Sequence, residues 1–354
     1  MRLVALSNIA LALASFGLVA GFVRSLTPGP ELVASTPKLE YLAEHVDEYD
    51  AIFLGSSRVY RHFVPSVIDR RLEELGEPLR TFNLGTPGAG SFEVDELLRR
   101  ALALEGARFK FVFIEPSEWS PTIFKENRET ERTVAWHTLT GTRKALAATW
   151  RRNADPKERL ELGFMHVRLF GWRLSSLGQG LRIARPFLGY TPKQPISVAD
   201  VAKTAGYWPL EFERTEGFAA RRRELLQDRE SFELKISRLP HEGALGGAGT
   251  GQNSDLIKEQ MRVIREADAE PVYVIPPGTV GTRLFYSQRK FGLLDVLLAF
   301  NDPAKFPSYY DYEHFFDRNH LTTEAAKVFS RIFADDFVSW LRGGKPLSLI
   351  DEDS

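Results

Sequence analysis

Two short stretches of this 354-residue chain carry side chains that can do covalent chemistry together. The first is Gly55-Ser56-Ser57-Arg58, which ends the apolar run Ala51-Ile52-Phe53-Leu54. The second is Asp317-Arg318-Asn319-His320, placed just before a helix-like stretch that opens at Thr322. A serine hydroxyl is unreactive at neutral pH until a base takes its proton. A D-x-x-H spacing on a tight loop lets the carboxylate fix the imidazole in one tautomer and stabilise the imidazolium formed at the other nitrogen. Ser57, His320 and Asp317 are therefore candidates for nucleophile, base and orienting acid. Each has an ordinary alternative: Gly-Ser-Ser is also a turn and N-cap sequence, Asp317 a turn residue, and His320 a hydrogen-bonded loop histidine. Asp311-x-x-His314 repeats the spacing, but within an aromatic-rich run with no helix start after it, and ranks behind.

Groups so far apart in sequence meet only if strands and helices bring their ends together. Short apolar runs bounded by turn signals predict strands at Ala51–Leu54, Leu79–Leu84, Phe109–Ile114 and Pro271–Ile275. Helical spacing predicts helices at Thr36–Asp50, Pro65–Leu75, Phe92–Leu102, Leu256–Ala267 and Thr322–Leu341. Strand, turn and helix in alternation predict a doubly wound parallel sheet. In such sheets ligands bind beyond the carboxyl ends of the strands, and helix N-termini offer N–H groups to negative charge. The alternation stops at Pro121. From there to about Leu239 the chain is rich in Arg, Lys and aromatics, with helical stretches at Thr142–Arg152 and Phe218–Leu239, and the inserted region extends to about residue 253. This predicts a mainly helical insertion. Its Arg221-Arg222-Arg223 run reads as a solvated helix face, with a polyanion-binding face as the alternative. Gly243 to Gly251 resembles a phosphate loop superficially, but it lacks Lys-Ser/Thr and a preceding strand, so it reads as a connection.

Composition narrows the function. Hydrophobic residues at 43% and charged residues at 26% are those of a globular protein. A net charge of −1 argues against a nucleic-acid partner. The absence of Cys removes disulfides, thiolate catalysis, Cys-ligated zinc and iron–sulfur clusters together. Leu3 to Val23 is almost continuously apolar, of the length that crosses a bilayer, with Arg2 before it and Arg24 after it. Residues 1–26 therefore read as a signal anchor, with a cleaved signal peptide as the competitor. Leu18-Val19-Ala20 makes a poor cleavage site. Thr27-Pro28-Gly29-Pro30 reads as a linker to the domain spanning 27–354.

The blocks around Ser57, Asn83–Gly88 and Asp317–His320 resemble those of the SGNH (GDSL-type) hydrolases. Gly55-Ser56-Ser57 corresponds to the family's Gly-Asp-Ser, with Ser56 in place of Asp. Asn83-Leu84-Gly85-Thr86-Pro87-Gly88 resembles the second block, whose glycine donates a backbone N–H to the oxyanion. The resemblance covers about residues 50 to 120 and 255 to 342. It implies a flavodoxin-like three-layer α/β/α fold with a central, mostly parallel sheet. It also implies Ser57, Asp317 and His320 as the triad, Gly88 and Asn83 as oxyanion or substrate-binding residues, and no metal or organic cofactor. One block departs: where the family has Gly-x-Asn-Asp, this chain has Glu115-Pro116-Ser117-Glu118-Trp119. Loss of one oxyanion donor costs about a hundredfold or more in rate. The Gly-Ser-Ser variant and the apolar N-terminus are similar to a bacterial sub-group that includes alginate O-acetylation and teichoic-acid D-alanylation proteins. Those proteins act outside the cytoplasmic membrane, often beside a membrane-bound O-acyltransferase. The implied function is an anchored extracytoplasmic esterase or O-acyltransferase acting on acylated carbohydrate or polysaccharide. The alternative is a catalytically degenerate binding or assembly partner in an envelope complex.

Overall fold

A computed structural model of the protein describes residues 2–26, 29–32, 35–176, 188–189, 196–213, 215–239, 254–279 and 283–350. The Gly243–Gly251 loop and Thr27-Pro28 of the expected linker lie outside the described residues. The chain divides into two compact units, one of Met1–Thr36 with Ser120–Pro195, the other of Pro37–Trp119 with Ile196–Ser354. The stretch from Ile196 to Leu239, read in the sequence as part of the insertion, thus belongs to the same unit as the sheet.

That sheet has five strands: β1 (Ala51–Leu54), β2 (Thr81–Asn83), β3 (Phe111–Ile114), β4 (Glu270–Ile275) and β5 (Leu297–Ala299). All pairs are parallel, in the order β2-β1-β3-β4-β5. The fold is α/β, with fourteen α-helices among the described residues. Every residue of β1 is buried, as expected of a strand covered on both faces. The sequence did not signal β5, because Leu293-Leu294-Asp295-Val296-Leu297-Leu298 suits a helix as well as a strand.

Successive side chains of a strand point to opposite faces. Phe53, Phe113, Val272, Val274 and Leu298 join one core with Phe329, Phe333 and Phe337 of the C-terminal helix Thr323–Leu341. Phe53 stacks on Phe113 with ring centroids 4.6 Å apart, and Phe333 meets Phe113 edge-on at 5.2 Å. Ile114 and Tyr273, one residue out of phase, line a small cavity with Val94 and Ile257. After α1 (Arg2–Leu26) come α2 (Thr36–His45), α3 (Ser57–His62), α4 (Pro65–Glu74) and α5 (Ser91–Leu102). The helix expected across Phe218–Leu239 is two helices, Glu216–Gln227 and Arg229–Ser237. Asp228 separates them: its backbone leaves the helical region (φ −125, ψ 57) and its carboxylate caps the second helix through Ser231 N–H.

In the other unit, α1 has a stretch, Ser7–Ser25, long and apolar enough to cross a membrane and only 6% buried. Among its described residues this unit also has the helices Glu131–Trp136, Leu139–Arg151 and Pro156–Ser175. The last was not anticipated, although Asp155 caps it (Lys157 N–H to Oδ1, 2.7 Å) and Pro156 occupies its first position. Two buried histidines meet inside. His137 Nδ1 faces Thr133 O at 2.6 Å, His137 Nε2 faces His166 Nδ1 at 3.0 Å, and His166 Nε2 faces Pro121 O at 3.0 Å. Three such contacts need three ring protons, and two neutral rings supply two. Burial pushes His137 down to about 3 and His166 down to about 4, against the pull of the Thr133 and Pro121 carbonyls. Both are neutral at pH 7, whereas unfolded histidines bind protons near pH 6.5. The unfolded chain therefore binds more protons below that pH, and the stability is present above pH 6.5 and lost as pH falls. We expect thermal unfolding to shift downward from pH 6.5 to 4, by about 3 kcal/mol for His166. A His166→Gln variant should lose that part of the pH dependence, read by circular dichroism.

Candidate active site

Ser57 owes its position to a sharp exit from β1. Gly55 follows the strand, Ser56 caps α3 by accepting from Arg58 N–H at 3.3 Å, and Ser57 is the first residue of that helix. A Cβ on Gly55 would lie 2.4 Å from Val59 Cγ2 and 2.6 Å from Glu115 Cβ, so only glycine permits this turn. The strand order reverses between β1 and β3, and ligands of open α/β sheets bind in the crevice at such a point. Ser57 follows β1 and Glu115 follows β3, so both stand at its rim. As the first residue of α3, Ser57 has a backbone N–H that donates to no group among the described residues.

The loop before the C-terminal helix supplies the rest. Phe315 and Leu321 form an antiparallel bridge, and Phe316 N–H donates to His320 O at 2.7 Å. Inside this turn Asp317 Oδ1 accepts from the backbone N–H of Asn319 (2.8 Å) and His320 (3.0 Å). Both Asp317 oxygens face His320 Nδ1, at 2.8 and 2.9 Å, and His320 Nε2 lies 2.8 Å from Ser57 Oγ. With the proton on Nδ1 held by the carboxylate, Nε2 accepts from the serine hydroxyl. Burial works to raise the Asp317 carboxyl, but the His320 ring and the two backbone N–H groups outweigh it and hold the group below its ordinary range. Asp317 is thus ionised wherever the site would work.

Several neighbours had no signal in the sequence. His62, fully buried, accepts Leu321 N–H on Nε2 at 3.1 Å and lies edge-on to the His320 ring at 6.2 Å. Burial, then the neighbouring His320, Arg58 and Arg61, lowers the His62 imidazole well below its ordinary value, so it is neutral at pH 7. Ser330 Oγ donates to His62 O at 3.1 Å and accepts from Val64 N–H at 2.9 Å, so the C-terminal helix is tied to the end of α3. The Arg221–Arg223 run is more than a solvated face: Arg222 Nη1 donates to Phe315 O, and Arg221 Nη1 lies 3.9 Å from Asp317 Oδ2.

The stretch after β3, where the resemblance expects an oxyanion-donating Asn, has none and opens with Glu115. Its Oε2 accepts Ser56 N–H at 2.6 Å, and its Oε1 lies 2.5 Å from Arg58 Nη2 as a charge contact rather than an aligned hydrogen bond. An ionised carboxylate only accepts, so Glu115 fixes the turn that carries Ser57 and cannot replace the missing donor. Arg58 Nη1 is buried with no acceptor among the described residues. Gly278 makes room for this guanidinium, because a Cβ there would come within 3.2 Å of Arg58 Cδ.

The remaining sequence candidates divide. Gly88 is exposed, at φ +66, in the turn after β2. Asn83 is fully buried and structural rather than substrate-facing: its Nδ2 donates to Val59 O and Phe63 O, each at 2.8 Å, and its Oδ1 accepts Gly85 N–H at 3.0 Å. It satisfies the carbonyls of Val59 within α3 and of Phe63 just after it. Lys38 of α2 holds the same loop, donating to Asn83 O at 2.9 Å and Gly85 O at 2.8 Å beneath the Tyr60 ring. Burial, with Arg61 nearby, lowers the Lys38 ammonium well below its ordinary value. Asp311 and His314 do not pair: Asp311 accepts from Glu313 N–H at 3.1 Å, and exposed His314 contacts Ser308 O at 2.6 Å. Among the described residues no cluster of three His, Asp or Glu side chains could hold a metal ion.

No family model and no curated protein matches the chain. Removing one partner of a buried ion pair leaves the other charge unpaired and costs about 3–5 kcal/mol. We therefore expect Glu115→Ala to lower stability by about that much in denaturant unfolding, with His314→Ala close to neutral.

Proposed function

We propose that this protein is an SGNH-type serine enzyme that cleaves or transfers acyl esters, with Ser57 as nucleophile, His320 as general base and Asp317 as its partner. The observation that carries the reading is the unbroken chain from Asp317 through His320 to Ser57 Oγ, with 2.8 Å at each link. Its place at the strand-order reversal supports it further, since the order β2-β1-β3-β4-β5 is that of flavodoxin-like doubly wound sheets. In this reading the helices cover both faces of the sheet as a three-layer α/β/α fold.

The chemistry follows from the geometry. Ser57 Oγ attacks the ester carbonyl while His320 Nε2 takes its proton, and Asp317 stabilises the imidazolium on the Nδ1 side. The backbone N–H groups of Ser57 and Gly88 hold the oxyanion, the first reinforced by the positive end of α3. Collapse releases the alcohol, which leaves with the proton from His320, and forms an acyl-serine. Water then gives hydrolysis, and a sugar hydroxyl gives transfer, with His320 activating either. The substrate class in this reading is an acyl, most simply acetyl, ester on a cell-surface or exported polysaccharide. The apolar helix α1 holds the enzyme at the membrane, facing the periplasm or cell exterior, where a membrane-bound O-acyltransferase would be a fitting acyl source. No metal or organic cofactor takes part in these steps.

Glu115 favours a second reading, in which the fold serves as a non-catalytic binding or assembly partner. A carboxylate beside the nucleophile turn disfavours a developing oxyanion, and Arg58 offsets that charge. Fluorophosphonate labelling of the purified full chain in detergent separates the two. We expect the wild-type and His314→Ala proteins to label, Ser57→Ala to label not at all, and His320→Ala to react on the order of a thousandfold or more slowly. A folded wild-type protein that does not label would overturn the enzymatic reading in favour of the binding one.

A further inference from the structure

We propose that the helix Pro156–Ser175 is a second membrane contact, lying with one face in the headgroup region of an anionic bilayer beside α1. The inference rests on the reading of α1 as a membrane anchor. Leu160, Phe164, Val167 and Leu174 recur at intervals of four, three and seven residues, so they form one stripe along the helix. They are 61, 71, 52 and 47% exposed. The opposite side of the same helix, with Leu162, Met165 and Leu169, is already buried in its own unit. A helix apolar on two sides needs two partners, and among the described residues only one is present.

Two observations identify the second partner as lipid. Within this unit the helix packs directly against α1, the element long and apolar enough to span a bilayer, so a membrane that takes α1 lies within reach of the stripe. The charge also fits. Between Leu139 and Ser175 there are eight Lys and Arg against three Asp and Glu. Exposed Arg168 flanks the stripe, its guanidinium 4.9 Å from the centre of the Trp172 ring, and exposed Trp150 lies on the helix before. An apolar face with aromatic residues and basic flanks is the signature of a helix seated at the interface of anionic lipids.

The chain contains no cysteine, so a single introduced Cys labels one position. Full-length Phe164→Cys, Val167→Cys, Leu18→Cys and Glu324→Cys proteins carry a nitroxide and are reconstituted into vesicles of phosphatidylcholine with phosphatidylglycerol. Leu18 lies within α1 and Glu324 is an exposed polar position. Collision with oxygen, which concentrates in lipid, is compared with collision with a water-soluble nickel chelate. The expected result is an oxygen-to-nickel ratio at 164 and 167 several-fold above that at 324, approaching that at 18. A label at 164 as open to nickel as the one at 324, with position 18 in lipid, overturns the proposal and leaves the anchor intact. Nickel access at position 18 overturns the anchor reading itself. Labels at 164 and 167 shielded from both reagents, in vesicles and in detergent alike, place protein rather than lipid over the stripe and also overturn the proposal.

Discussion

The site depends on the packing of one helix. Ser57 and His320 are 263 residues apart, and nothing local draws them together. The C-terminal helix Thr323–Leu341 does so by laying Phe329, Phe333 and Phe337 onto Phe53 and Phe113 of the sheet and Phe63 at the end of α3. Each ring buries a large apolar area, and truncating one to Ala typically costs about 3–5 kcal/mol. Phe63 follows α3 directly and the helix begins three residues after His320, so the same aromatic cluster fixes both ends of the Ser57–His320 hydrogen bond. Ser330 adds direction to this apolar attraction by linking His62 and Val64 to the helix.

Around this frame the protein buries an unusual group of ionisable side chains. Lys38, His62, Arg58, Glu115 and Asp317 are each less than 9% exposed. Burying charge is costly unless it is paired, and each of these is satisfied differently. Lys38 meets two carbonyls and an aromatic face, His62 stays neutral, Arg58 and Glu115 neutralise one another, and Asp317 is surrounded by donors. Four of the five act on backbone or on a catalytic candidate: Lys38 on the loop leading to Gly88, His62 on Leu321, Glu115 on Ser56, Asp317 on His320. The polar interior around the crevice thus holds loops in place where a purely apolar core would leave them to find their own positions.

What the sequence disclosed follows from how local each signal is. The first four strands were legible because short apolar runs ended in turn residues. Asp317 and His320 were legible as a pair because three residues of loop suffice to join them. The short helix at Ser57 was not, since six residues give too little periodicity, and Pro65 drew attention to the next helix instead. Asn83 was placed in the site by its neighbours in sequence, whereas its direction is set by the carbonyls of Val59 and Phe63, which no pattern in the chain announces. His62 and Glu115 gained their roles only through contacts with Leu321 and Ser56, distant in sequence. Pro156–Ser175 escaped because apolar residues occur on two sides of it, which blurs the one-sided periodicity by which helices are recognised.

The two units are interleaved along the chain, and this has a consequence for how the protein is made. The polypeptide passes from one unit to the other after Thr36, Trp119 and Pro195, so neither is a continuous segment. A ribosome or translocation channel delivers β1, β2 and β3 well over a hundred residues before β4, β5 and the helix that covers them. The half-built sheet must wait with β3 unpaired on the side that β4 will occupy, an edge prone to wrong partners. Pairings of such long sequence separation also form slowly. The nascent chain therefore meets its greatest hazard between synthesis of Ile114 and Leu341.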